Sequence, residues 1–107
     1  MAKFLVLWRA NLLAPWPTDP SKALELNEKI WAGIDDRVKK GTIKEHGHFP
    51  DGTSGYVIAE GEATDVFRGA HRFMPYILFE SHEIIPWEKE REIVRELCKA
   101  RIEGMKK

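Results

Sequence analysis

Residues 4–8, Phe-Leu-Val-Leu-Trp, are apolar at every position. A strand sends alternate side chains to opposite faces of its sheet. This run therefore places Phe4, Val6 and Trp8 on one face and Leu5 and Leu7 on the other. Such a strand belongs at the centre of a sheet that is covered on both sides. Arg9 and Asn11 stop the run short of the roughly 7–15 apolar residues of a secretory signal. No stretch reaches the roughly 18 apolar residues of a membrane span. Residues 3–9 are read as a strand, and the protein as soluble and cytoplasmic. Gln is absent and Glu and Lys are plentiful, a balance that leans towards a thermophile.

The 107 residues suffice for one domain, 1–107, with a single core. Pro15 and Pro17 make residues 10–19 a loop, whose Leu12, Leu13 and Trp16 are expected to pack down. Residues 20–40 carry the signals of a helix. Asp19 stands at the N-cap, Pro20 at the first helical position and Gly41 just past the end. Lys39 and Lys40 suit the negative end of its dipole. Ala23, Leu26, Ile30, Ile34 and Val38 form one apolar stripe, widened by Leu24 and Trp31. Residues 42–49 and 54–61 form a hairpin around Pro50-Asp51-Gly52. Residues 64–73 form a short helix with Thr64 as N-cap and Phe67, Ala70 and Met74 inward. Residues 76–85 are a fourth strand closed by Pro86. Residues 87–104 are a last helix with Ile93, Val94, Leu97 and Ile102 on its apolar side. Cys98, the one cysteine, excludes an internal disulfide and reads as a packing residue. The order β-α-β-β-α-β plus a C-terminal helix implies an α+β, ferredoxin-like sheet with two helices on one face.

The other face then needs cover. In the fourth strand, Tyr76, Leu78, Glu80, His82 and Ile84 alternate with Ile77, Phe79, Ser81 and Ile85. In the third, Tyr56, Ile58 and Glu60 alternate with Val57 and Ala59. The more purely apolar set is assigned to the helix side. The remaining face is too apolar to meet water and too polar for a plain core. Two such sheets packed face to face would hide the aromatics and enclose a partly polar cavity, which implies a symmetric homodimer. The competing arrangement is a monomer whose C-terminal helix crosses that face.

On this element order, the Phe4–Trp8 strand and the closing run Phe79-Glu-Ser-His-Glu-Ile-Ile-Pro86, the chain resembles the dimeric α/β-barrel superfamily. It is most similar to the small families of unknown function there, and distantly to the muconolactone isomerase-like enzymes. The resemblance implies ferredoxin-like subunits whose sheets pair into a closed barrel. It carries over no catalytic residue.

Lys plus Arg is 17 and Asp plus Glu is 17, a balance that excludes nucleic-acid binding by bulk positive charge. An RNA-recognition domain shares this topology but needs exposed aromatics on its RNP-type strand. Residues 55–61 hold one aromatic and an acid. There is no Gly-rich phosphate loop, Cys-x-x-Cys, Gly-x-Ser-x-Gly or Walker motif, so no cofactor is expected. His46 and His48 share a strand face and can grip one metal, with His82 or Glu80 completing a mixed site. The bland reading is a pair of solvated histidines near a turn. Glu80 and His82 also share a face. In a closed cavity they form a general acid–base pair. Otherwise they are a polar pair that fixes the dimer, or a rim ion pair. Tyr56, Glu60 and Tyr76 are candidate ligand contacts, and Trp16 is a candidate lid. Trp8 and Trp31 read as core. Arg68, His71 and Arg72 read as a solvated face, or as holders of an anionic group. Two functions follow. One is a small-molecule pocket inside the barrel, for binding or for cofactor-independent acid–base chemistry such as isomerisation or oxygenation. The other is a non-catalytic oligomerisation module.

Overall fold

The computed structural model describes residues 2–106. In chain order the elements are β1 (Ala2–Ala10), α1 (Pro20–Lys40), β2 (Ile43–His48), β3 (Ser54–Gly61), α2 (Ala63–Ala70), β4 (Ile77–Ile84) and α3 (Trp87–Met105). The strands form one antiparallel sheet in the order β2-β3-β1-β4. β1 is central, as its doubly apolar run demands. The arrangement is α+β and compatible with a ferredoxin-like fold.

Register sorts the side chains. Val6 lies opposite Val57 on β3 and Ser81 on β4, and Trp8 opposite Gly55 and Phe79. These residues face α1 and α2, where Phe4, Val6, Ile43, Ala70 and Ile77 are the buried apolar residues. α1 begins where Asp19 Oδ1 accepts the Ser21 N–H at 3.1 Å, and the Gly41 N–H closes its end on the Val38 carbonyl at 3.1 Å. The hairpin turn is organised by Asp51. Its carboxylate accepts the Thr53 and Ser54 N–H groups at 2.9 and 3.1 Å and the Ser54 hydroxyl at 2.7 Å.

Three local expectations are corrected. The short helix begins at Ala63, not Thr64, because the Glu62 carbonyl already accepts the Val66 N–H at 3.1 Å. It ends at Ala70 and tightens into a 3-10 turn, His71–Phe73, ahead of Pro75, which cannot continue a helix. Its inward residues are Val66, Ala70 and Phe73, while Phe67 and Met74 are exposed. In the loop, Trp16 packs down but Leu12 and Leu13 do not. Trp16 donates its indole N–H to the Asn11 carbonyl at 2.7 Å, and its ring meets Tyr76 at 4.9 Å between centroids.

α3 is the main departure from a self-contained domain. Every one of its residues is exposed, including Ile93, Val94, Leu97 and Ile102, and also Cys98, which therefore does not pack inward as its sequence position suggests. The helix does not lie across the open sheet face. The radius of gyration is 19.4 Å, against about 13 Å for a compact chain of this length. The accessible surface is 8439 Å², about 2,300 Å² more than the scaling for compact monomers gives. No described helix is long and apolar enough to cross a membrane.

The cap at Asp19 gives a direct test. Asp19→Ala should lower unfolding free energy by about 1 kcal/mol in urea titrations, with the m-value unchanged.

Candidate functional site

The face of the sheet turned away from α1 and α2 is built from the even-numbered residues of β3 and β4 and the odd-numbered residues of β1. Three rows run across it. Tyr56, Leu7 and Glu80 form the first, Ile58, Leu5 and His82 the second, and Glu60, Lys3 and Ile84 the third. Leu78 and Ile84 are 38% and 37% exposed, high for apolar residues in a sheet. The expected grouping of Tyr56, Glu60, Glu80 and His82 on one face is what the register produces.

Two polar pairs flank the central leucines. On β4, His82 Nε2 lies 2.8 Å from Glu80 Oε2, with the two side chains 57% and 60% exposed. An ionised carboxylate only accepts, so Nε2 carries the hydrogen and Nδ1 of a neutral imidazole is left as an acceptor. That nitrogen can take a proton from a ligand above the sheet. On the far side of β1, the Tyr56 hydroxyl donates to Glu45 Oε2 at 2.7 Å. The hydrogen bond to Glu45 is the main cause that raises the Tyr56 phenol above its ordinary value, with desolvation and the Glu45 charge adding to it. One pair stands on β4 and the other bridges β2 and β3, with β1 between them, so Tyr56 and Glu80 are roughly 10 Å apart. Neither can serve the other within one chain.

Glu45 was missed in the sequence, and its signal is a bulge. Ile43 pairs with Ala59, but Glu45 pairs with Ile58, so one residue, Lys44, is extra. The bulge turns Glu45 to the open face and His46 and His48 to the helix side, opposite Val57 and Gly55. The histidines therefore sit across the sheet from Glu80 and His82, and the mixed metal site is not assembled. No group of three or more His, Cys, Asp or Glu side chains that could hold a metal occurs among the described residues. His48 instead meets the Trp8 ring edge-on at 4.8 Å. Gly47, between the histidines, has a steric task. A Cβ there would lie 2.9 Å from the Tyr56 ring, which needs that space to reach Glu45.

Tyr76 does not join the open face. It precedes β4, its carbonyl accepts the Asn11 N–H at 2.8 Å, and its ring packs on Trp16 beside Leu26 and Ile30 of α1. Parity would have sent it outward, but the loop after β1 holds it on the helix side. Trp16, the candidate lid, thus borders a second feature, a recess of about 580 Å³ between the helices and the sheet. Trp8 and Trp31 line the same recess, Trp31 at 44% exposure rather than in the core. Compared with protein-family models and with curated proteins, the chain matches none.

The Tyr56–Glu45 bond has a pH signature. Tyr56 is held protonated, so whatever stability the bond contributes is present below the ordinary tyrosine value near 10 and is lost as pH rises through the elevated folded value. Ultraviolet titration of the phenols should show one late-titrating tyrosine. Glu45→Gln should move it earlier, and an unchanged curve would count against the bond.

Proposed function

We propose that this chain is one half of a homodimeric α/β barrel in which two open sheet faces meet and enclose a small-molecule pocket. The observation that carries the reading is the open face itself. Leu5, Leu7, Ile58, Leu78 and Ile84 share it with two ready-made polar pairs, and α3 leaves it uncovered. A second copy is the simplest cover for a face of this composition. The resemblance to the dimeric α/β-barrel superfamily supports the same assembly. Within the barrel, His82 takes or returns a proton at Nδ1 while Glu80 orients the ring, and the Tyr56 phenol oxygen, its hydrogen held by Glu45, accepts from a ligand donor. Glu60, opposite Lys3, lines the outer row. This is binding, or acid–base chemistry that needs no cofactor. A cytoplasmic setting belongs to the reading, since a lone exposed Cys98 suits a reducing compartment.

One observation favours a second reading, a non-catalytic oligomerisation module. The polar groups already pair within their own chain, at 2.7 and 2.8 Å, and need no ligand to be satisfied.

Light scattering on the eluting protein, with native mass spectrometry, separates the cases. The expected species is a dimer. Ile58→Glu places a carboxylate in the paired face and should raise the dimer Kd by about two orders of magnitude or more. A wild-type monomer would overturn the barrel. Extra mass that is lost on denaturation supports the pocket, and a clean dimer weakened by His82→Ala supports the module.

A further inference from the structure

The recess on the opposite side of the sheet lies outside the proposed barrel interior. Its volume of about 580 Å³ falls within the roughly 300–1,000 Å³ of small-molecule sites. Its walls are largely apolar, with Trp31 and Ile34 from α1, Val57 and Phe79 from the sheet, and Phe73 after α2. Four charged groups near its rim are already committed. Asp36 pairs with Lys40 at 2.9 Å, and Asp65 pairs with Arg68 at 3.1 Å.

Two arginines lining the recess are not. Arg37 is half-buried, and its guanidinium carbon lies 5.9 Å from the centre of the Phe73 ring. It passes beside Gly69, where a Cβ would stand 3.2 Å from Nε. A guanidinium carries five N–H donors. Among the described residues Arg37 makes one side-chain hydrogen bond, a long one of 3.4 Å to the Gly33 carbonyl. Neither Arg37 nor Arg72 has a carboxylate within ion-pair distance among the described residues. Burial, and then the neighbouring Arg72 charge, push Arg37 below the ordinary guanidinium value, against the smaller opposing pull of the Asp36 carboxylate. Two like charges with unspent donors at an apolar cavity are unfavourable alone and complementary to an anion.

We infer that the recess is a binding site for an amphiphilic carboxylate, its apolar body against Trp31, Val57 and Phe79 and its carboxylate held between Arg37 and Arg72. The body supplies affinity by burial, and the arginines select the charged head. Hydrocarbon alcohols of equal length leave both guanidinium groups without an anionic partner, so the head discriminates between them. The site is independent of the barrel interior, because the sheet separates the two.

Decanoate and decanol are the probes, read by quenching of tryptophan fluorescence, since Trp8, Trp16 and Trp31 line the recess. Decanoate should bind once per chain, at least tenfold more tightly than decanol. Arg72→Gln should weaken decanoate at least tenfold and leave decanol unchanged. Arg37→Gln should do the same. Arg72 is exposed, so its variant decides the matter if the Arg37 variant does not fold. No decanoate binding, equal affinity for the two probes, or indifference to Arg72→Gln would overturn the inference.

Discussion

The structure depends on one constraint, that β1 is apolar on both faces and must be covered on both. Its inner residues Phe4 and Val6 are buried beneath the helices, with Ile43 and Ile77 from neighbouring strands. Its outer residues Leu5 and Leu7 form the middle of a face that no other described element covers. Hydrophobic burial is the main favourable term in folding, and the half-buried outer residues of this strand obtain only part of it. The apolar character of the open face therefore comes from the most central element of the sheet and not from a surface accident.

The same strand organises the polar groups. Leu5 and Leu7 separate the Glu80–His82 pair from the Tyr56–Glu45 pair, so each pair is satisfied locally and faces outward. A second sheet laid on this face would bring polar groups of one copy over the leucines of the other. On the inner side, α1 and α2 close over the sheet incompletely, leaving the recess where Arg37 and Arg72 stand. The two faces thus present different groups: an imidazole paired with a carboxylate on one, two guanidinium groups beside an apolar recess on the other.

α3 shows how far this chain is from an isolated domain. Helices of this length are marginal in water unless an apolar face is packed. Ile93, Val94 and Leu97 form such a face and are about half exposed or more. An uncovered sheet face and an uncovered helix face in one chain raise the accessible surface together, and both disappear from water when a further surface is supplied.

Much of this was legible in the sequence. Periodicity and capping residues determined α1 to the residue, and the order of elements with the alternation in β3 and β4 determined which face would carry Tyr56, Glu60, Glu80 and His82. These are local properties, readable from spacing alone. Tertiary structure decided the rest. The bulge at Lys44 sent His46 and His48 to the helix side and brought Glu45 to Tyr56, because one extra residue reverses the parity of a strand. The Asn11 and Trp16 contacts pulled Tyr76 out of the alternation that its position implied. Arg37, an ordinary helix cation by sequence, became a cavity residue because Gly69 and Phe73, more than thirty positions away, shape the space around it. Pattern determines which face a residue prefers, but only packing between distant segments determines what that face meets.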